Sequence, residues 1–317
     1  MSFSSKMKSE LCRLPNEKEC CNKAELAGVI CFSGALKGTI SDPSFKINTE
    51  NASVARRVFR LIKWNFGVLT TLNIKGYKTG RNTNSYNLYI RGQENLNNMF
   101  KGLGLIKDDE AFKNLLNYRI SDELTIQDCC KRAFIRGAFL AGGSVIDPDK
   151  TYHLEIVTNH YLLSKDFCRL LECFGLSAKI VLRKSNYVIY FKGSENIVDF
   201  LNIIGAHKSL MELENIRIIK EMRNNVNRVI NCETANMEKT INASLKQIQG
   251  IELIKNTLGL DGLPDNLKEI ARIRLEAKEA TLKELGEMLH PPVGKSGVNH
   301  RLRKLQKIAD SLENRKT

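Results

Sequence analysis

Two different periods of apolar residues run along this chain, and they predict a mixture of strands and helices. Residues 45–51 and 153–159 alternate apolar with polar side chains, as half-buried β-strands do. Residues 53–67 instead carry apolar side chains at spacings of three and four, the pattern of a helix with one buried face. Turn-forming residues from 76 to 84 separate two further strand-like runs, as a β-hairpin requires. This part of the chain therefore predicts an α+β fold.

An internal repeat connects these segments. Cys20–Cys21 recurs as Cys129–Cys130, and several of the small residues that follow recur at the same offset. The strand, helix and hairpin patterns also recur, although the first copy has a longer hairpin connection. We therefore predict two copies of one unit, at about residues 20–104 and 129–205, each with the order helix, two strands, helix, two strands, helix. Duplicated units of this kind usually pack about a pseudo-twofold axis.

Each copy opens with a helix rich in small residues, LAGVICFSG at 26–34 and IRGAFLAGG at 135–143. Glycine and alanine allow two helix backbones to approach closely. These segments, together with the strand order around them, resemble the LAGLIDADG homing endonucleases, in which paired helices form the interface between two αββαββα halves. The resemblance implies a duplicated αββαββα domain with pseudo-twofold symmetry.

The positions that hold the catalytic acids in that family hold other residue types in this chain. In the family each helix ends with an acid before its last glycine, and the two carboxylates bind divalent metal ions that activate water. The corresponding positions are Ser33 and Gly142, and neither supplies a carboxylate. Asp42 and Asp147 lie nearby in the sequence but out of register. We therefore predict no catalytic residue, no metal, no cofactor and no enzymatic activity, with a metal-dependent endonuclease using displaced acids as the alternative.

The two predicted hairpins carry cations that are candidates for phosphate contacts. These residues are Lys75, Lys78, Arg81, Arg183 and Lys184. Two alternatives stay open: the charges are simply solvated, or the sheets bind a partner protein.

After about residue 210 the strand signals end and helical patterns follow. We predict a first domain over residues 1–210, a linker helix over 211–232 and a helical domain over 233–317. Within the helical domain, residues 235–259 form a separate helix that stops at its C-terminal glycine, and Pro264 opens the next.

Residues 281–312 predict a helix-turn-helix. Thr281 and Glu284 form a capping-box pattern, Pro291–Pro292 ends the first helix, and Ser296 is the candidate N-cap of the second. Apolar residues in the second helix recur at spacings of four and three, which predicts a buried stripe. The stripe consists of Val298, Leu302, Leu305, Ala309 and Leu312.

The opposite side of this second helix is polar and basic. Asparagine can pair bidentately with adenine and arginine with guanine, whereas flanking cations meet phosphates. The predicted DNA-binding residues are Lys295, Ser296, Asn299, His300, Arg301, Arg303, Lys304 and Lys307. The alternative is an ordinary basic amphipathic helix packed on its neighbours.

The overall charge agrees with a nucleic-acid partner. The chain of 317 residues has a formal charge of +14 and a pI near 9.3, which favours a polyanion. A membrane surface is the second candidate, but no apolar run approaches the roughly 20 residues of a transmembrane helix. The N-terminal segment has no apolar core of a signal peptide. We therefore expect a cytoplasmic, nucleoid-associated protein without membrane contact.

The nine cysteines are odd in number and include no C-x-x-C motif, which is typical of reduced thiols. Cys20–Cys21 and Cys129–Cys130 precede the paired helices symmetrically. They suggest either a metal site or packing near the interface. We favour packing, because adjacent cysteines chelate a single ion awkwardly.

Taken as a whole, the chain resembles the WhiA family. The resemblance is carried by SFSSKMKSEL with the following CCNKAELAG, by KRAFIRGAFLAGGSV, and most specifically by PPVGKSGVNHRLRKL. It implies a catalytically inactive endonuclease-like domain and a C-terminal domain that binds double-stranded DNA. It further implies a regulator of transcription in cell division and chromosome segregation. The alternative within the family is sporulation-linked transcription through a protein partner bound to the first domain.

Overall fold

The computed structural model describes residues 2–15, 18–39, 42–77, 83–106 and 118–314. Two of the predicted phosphate contacts, Lys78 and Arg81, lie outside the described residues. The chain divides into two compact units between residues 220 and 221. None of the helices in the described ranges combines the length and the apolar character that a bilayer span requires.

The first unit contains the two predicted copies of the repeat. The first copy, with a helix before it, consists of α1 (Phe3–Leu11), α2 (Glu19–Ser33), β1 (Gly34–Gly38), β2 (Pro43–Thr49), α3 (Ala52–Phe66), β3 (Thr71–Tyr77), β4 (Thr83–Arg91) and α4 (Gln93–Gly102). The second copy consists of α5 (Asp128–Gly142), β5 (Gly143–Val145), β6 (Leu154–Thr158), α6 (Tyr161–Glu172), β7 (Lys179–Arg183), β8 (Asn186–Phe191) and α7 (Ser194–Ile204). Each copy therefore has the predicted αββαββα order.

The two sheets have the same topology. Their strand orders are β1-β2-β4-β3 and β5-β6-β8-β7, with every pair antiparallel. Phe45 pairs with Ile90 in the first sheet, and Leu154 pairs with Phe191 at the equivalent place in the second. All four side chains are buried, because one face of each sheet packs against the helices. This confirms the α+β, LAGLIDADG-like fold.

The leading helices α2 and α5 pack directly on each other. A Cβ atom added at Gly137 would lie 2.0 Å from the carbonyl oxygen of Glu25, and one added at Gly28 would lie 2.4 Å from that of Phe134. Both distances are far below van der Waals contact, so the backbones approach as closely as they do only because these positions lack side chains.

A buried ion cluster also connects the two copies. Glu25 of α2 is 1% exposed and pairs with Arg57 of α3 and with Arg136 of α5. Arg57 Nη2 and Arg136 Nε donate to the same oxygen, Glu25 Oε2, at 2.8 and 2.9 Å. Burial acts to lower the pKa of Arg57, but the hydrogen bonds and charge of Glu25 outweigh it, and the pKa is raised. The carboxylate therefore holds an arginine from each copy.

The second unit is helical throughout its described part. Its helices are the later part of α8 (His207–Thr257), then α9 (Asp265–Glu276), α10 (Leu282–Glu287) and α11 (Lys295–Glu313). The prediction of separate helices over 211–232 and 235–259 is wrong, because α8 continues through 51 residues. Residues 231–235 contain neither glycine nor proline, so nothing there interrupts the i to i−4 hydrogen bonds.

A separate hydrophobic core holds α9, α10 and α11 against the end of α8. Ile254, Ile270, Leu285 and Val298 are all fully buried in it, one from each of the four helices. This core fixes which side of α11 faces outward.

Candidate nucleic-acid interface

Helix α10 begins as the sequence predicts. The Thr281 hydroxyl accepts a hydrogen bond from the Glu284 backbone N–H at 3.3 Å, and the Glu284 carboxylate accepts one from the Thr281 N–H at 2.7 Å. Both halves of the capping box are therefore present. Hydrogen bonds from the backbone N–H and then the side chain of Thr281 to the carboxylate lower the pKa of Glu284.

The turn after α10 folds back onto it. The Val293 N–H donates to the Gly286 carbonyl at 3.0 Å. A Cβ atom at Gly286 would lie only 2.1 Å from the Val293 carbonyl oxygen, so this turn depends on the missing side chain. The longer connection between α10 and α11 is thus packed against the first helix rather than projecting from it.

Helix α11 begins at Lys295, two residues before the start that an N-cap at Ser296 would give. Gly294 is the N-cap, with an extended backbone conformation, and the Val298 N–H donates to its carbonyl at 3.1 Å. The prediction that Ser296 caps this helix is therefore wrong, and Ser296 lies exposed in its first turn. Glycine is an accepted N-cap residue, and the geometry of the turn places the cap at Gly294.

The predicted apolar stripe of α11 is confirmed. Val298, Leu302, Leu305 and Ala309 are buried, and Leu312 is half-buried against the same core. Because these residues recur every three or four positions, their burial turns the other side of the helix to solvent.

Most of the predicted DNA-binding residues lie on that solvent side. The exposed residues, called the basic face from here on, are Lys295, Ser296, His300, Arg303, Lys304 and Lys307. Asn299 and Arg301 are half-buried instead. Arg301 Nη1 lies 4.0 Å from Glu269 Oε2 of α9, whose other carboxylate oxygen accepts a hydrogen bond from the His290 N–H at 2.9 Å. Arg301 thus points toward α9, a partner that helix periodicity did not reveal.

The degenerate catalytic positions lie at the C-terminal ends of the paired helices. Ser33 Oγ donates to the Val29 carbonyl at 2.9 Å, so its hydroxyl is already bound to its own helix. A Cβ atom at Gly142 would lie 2.5 Å from the Val157 carbonyl oxygen, so the backbone would have to shift before any acid could be placed there.

The displaced acids do not replace these positions. Asp42 follows β1 and Asp147 follows β5, so a strand separates each of them from the helix end. A strand advances about 3.3 Å per residue, which places Asp147 about 10 Å or more along the chain from α5. Asp147 Oδ1 accepts a hydrogen bond from the Asp149 N–H at 3.1 Å within an exposed turn.

The described hairpin cations differ in their surroundings. Lys75 of β3 is exposed. Arg183 of β7 is also exposed, but its Nη1 lies 3.6 Å from Glu155 Oε2 of β6, and Lys184 occupies the hairpin turn with a positive φ of 48°. An acid therefore neutralises part of the positive charge of the second hairpin.

The paired cysteines come together in the first unit. The sulfur atoms of Cys20, Cys21, Cys129 and Cys130 all lie within 4.8 Å of one another. Only Cys130 is buried, while Cys20 is exposed and the other two are half-buried. Cys130 belongs to the hydrophobic core and Cys21 and Cys129 pack against it, so the packing that the sequence analysis favoured describes three of the four cysteines. This group is called the cysteine cluster below.

Comparison with known protein families matches the chain in three successive segments. The WhiA N-terminal LAGLIDADG-like domain corresponds to residues 19–106. The WhiA LAGLIDADG-like domain corresponds to residues 131–223, and the WhiA C-terminal HTH domain to residues 226–309. The helix-turn-helix seen in the second unit thus falls within the segment that carries this description.

Complete proteins are similar over nearly the full length. "Probable cell division protein WhiA" of Alkaliphilus metalliredigens is 51% identical over 312 residues, covering 98% of each chain. The protein of that name from Clostridium botulinum is 48% identical over 314 residues, covering 99% of each. The crystal structure of full-length DUF199/WhiA from Thermatoga maritima matches 98% of this chain and 99% of its own, with a TM-score of 0.58 and 26% identity. The chain therefore belongs to the WhiA family.

Proposed function

We propose that this chain is a non-enzymatic protein that binds double-stranded DNA and regulates transcription in bacterial cell division and chromosome segregation. The observation that carries the proposal is the basic face of α11, exposed within the helix-turn-helix segment. The names of the similar proteins point to cell division, and chromosome segregation is the finer expectation from the family resemblance. We place its site of action at the nucleoid in the cytoplasm.

The geometry of α11 supports a helix that lies in the major groove. From Ser296 to Lys307 it advances about 1.5 Å per residue, or about 16 Å, and the major groove is about 12 Å wide. His300, Arg303 and Lys307 follow one another at spacings of three and four, so they line one side of the helix. Arg303 supplies the planar donor pair that recognises guanine, and the lysines supply point charges for phosphates.

Binding to duplex DNA should weaken steeply with salt. The basic face exposes Lys295, Arg303, Lys304 and Lys307. If each of the three lysines meets one phosphate, log affinity should fall against log salt concentration with a slope of about −2.7, because bound counterions are released. Fluorescence anisotropy with a labelled duplex at several salt concentrations measures this slope. A slope near zero would contradict phosphate contacts by this face.

The chain should not cleave DNA. Ser33 and Gly142 supply no carboxylate, and Asp147 lies in an exposed turn beyond the helix end. We expect supercoiled plasmid incubated with the pure chain and Mg²⁺ or Mn²⁺ to remain intact. Cleavage that Asp147→Asn abolishes, and that Asp149→Asn from the same turn leaves unchanged, would refute the non-enzymatic assignment.

A protein partner on the first unit is the second candidate role. The edge strands β3 and β7 expose Leu72, Ile74 and Leu182, with 45%, 58% and 62% of their surface accessible. Exposed apolar side chains on sheet edges favour contact with another protein rather than with phosphates. This role corresponds to the alternative in which sporulation-linked transcription depends on a partner.

A further inference from the structure

The cysteine cluster lies where the two copies of the repeat meet. Cys20 and Cys21 are the second and third residues of α2, and Cys129 and Cys130 hold the same places in α5. Since α2 and α5 pack on each other, the two pairs face one another at the N-terminal ends of the helices. The cluster is thus built symmetrically from both copies.

The spacing of the sulfur atoms fits a single tetrahedral ion. A zinc ion with four Zn–S bonds of about 2.3 Å places its sulfurs about 3.8 Å apart. The sulfurs of the adjacent residues Cys129 and Cys130 already lie 4.0 Å apart, so neighbouring cysteines in this helix end do present both sulfurs to one point. All four sulfur atoms lie within 4.8 Å of one another, so small side-chain rotations bring them to the spacing of a zinc site without movement of the helices.

The same spacing argues for one ion rather than an iron–sulfur cluster. In a cluster the thiolates bind different iron atoms and are spread around a core of several atoms. Four thiolate ligands are soft donors that select zinc over the hard cations magnesium and calcium.

The surroundings balance the charge of such a site. Four thiolates around one Zn²⁺ carry a net charge of −2. A cavity of about 460 Å³ adjoins the cluster, and Lys18 and Arg132 line it together with Cys21 and Cys129. The N-terminal ends of α2 and α5 add the positive ends of two helix dipoles. These positive groups therefore offset the negative charge of the zinc–thiolate complex.

The cluster is separate from the degenerate nuclease site. Ser33 lies twelve positions after Cys21 in α2, which at about 1.5 Å per residue places the two about 18 Å apart. The ions of LAGLIDADG enzymes lie at the other end of the paired helices, so the cysteine cluster is not a remnant of that metal site.

We propose that Cys20, Cys21, Cys129 and Cys130 bind one structural zinc ion that joins the two copies of the repeat. The ion links the N-terminal ends of α2 and α5, as a closed four-ligand site does in small zinc-stabilised domains. The proposal is independent of DNA binding, since it concerns only residues of the first unit.

Metal analysis of the untagged full-length chain, purified with a reductant, tests the site. We expect about one zinc per chain by mass spectrometry of the metals. Replacing zinc with Co²⁺ should give intense sulfur-to-cobalt charge-transfer bands in the near ultraviolet and the visible bands of tetrahedral tetrathiolate cobalt. Removing zinc with a chelator should lower the thermal midpoint of the wild-type chain.

A matched pair of serine variants assigns the ligands. Cys21→Ser with Cys129→Ser removes one ligand from each helix and should reduce bound zinc at least about tenfold. Cys173→Ser with Cys232→Ser removes two exposed cysteines outside the cluster and should retain the full amount. The wild-type metal content decides the question even if the first variant fails to fold. A reduced wild-type chain without stoichiometric zinc, octahedral cobalt bands, or two disulfides in protein prepared with zinc and reductant would overturn the proposal.

Discussion

Replacing Arg303 and Lys307 together by alanine is expected to lower the affinity for duplex DNA by about 30-fold or more, because each lost base or phosphate contact costs about 1–3 kcal/mol. Both side chains are exposed, so their removal leaves the buried stripe of α11 intact. The salt slope should also become shallower by about 0.9, since Lys307 no longer contacts a phosphate and releases its counterion. Anisotropy titrations of wild type and variant, at matched salt, measure both changes.

A control variant with the same loss of charge distinguishes a local contact with DNA from the general electrostatic attraction between DNA and a basic protein. Lys246 and Lys255 are exposed residues of α8 in the same unit. Lys246→Ala with Lys255→Ala should change the affinity far less than the α11 variant, because neither residue lies on the basic face. Equal losses in the two variants would show that only net charge matters, and an unchanged affinity for Arg303→Ala with Lys307→Ala would exclude this face as the DNA-binding surface.

Glu25→Ala is expected to destabilise the first unit by about 3–5 kcal/mol, because it removes a buried carboxylate that binds an arginine from each copy. Arg57 is 3% exposed and donates to both oxygens of Glu25, so the substitution removes two charge-assisted hydrogen bonds from a buried guanidinium. For a unit of this size the thermal midpoint should fall by roughly 6–20 °C. Calorimetry of the full chain, with the transitions of the two units resolved, measures the shift.

An exposed ion pair provides the matched control. Lys6 Nζ lies 3.3 Å from Glu212 Oε1, and both side chains are about half exposed to solvent. Glu212→Ala should change the free energy of unfolding by less than about 1 kcal/mol, since exposed pairs contribute little. Glu25→Leu combined with Arg57→Met should recover part of the loss, because the charges of Glu25 and Arg57 are both removed and only the half-buried Arg136 loses this carboxylate. Equal midpoints for Glu25→Ala and Glu212→Ala would contradict a stabilising role for the buried cluster.

Much of the fold could be predicted from local patterns in the sequence. The alternation of apolar and polar residues at 45–51 and 153–159 predicted strands, because successive side chains of a strand point to opposite faces of the sheet. The capping box at Thr281 and the apolar stripe that starts at Val298 predicted helices, because the residues of each pattern lie within three or four positions of one another. The self-comparison added the duplication and hence the paired helices. Each of these signals depends on neighbours close in the chain.

Two of the three departures from these predictions arose where separate parts of the chain pack together. Ser296 and Gly294 both suit an N-cap, and the packing of the turn on Gly286 decided between them. Asn299 and Arg301 belong to a basic helix by sequence, but the contact with α9 turned Arg301 toward Glu269. The continuous helix α8 replaced two predicted helices because its polar stretch lacks any residue that stops hydrogen bonding.

The sequence by itself determined the repeat, the order of elements, the loss of acids at Ser33 and Gly142, and the basic side of α11. Only the tertiary structure decided that Glu25 binds arginines from both copies and that the cysteine cluster converges to within 4.8 Å. The reason is physical: hydrophobic periodicity reports which side of an element is buried, whereas a polar or thiol group acquires its partners only when separate elements pack together.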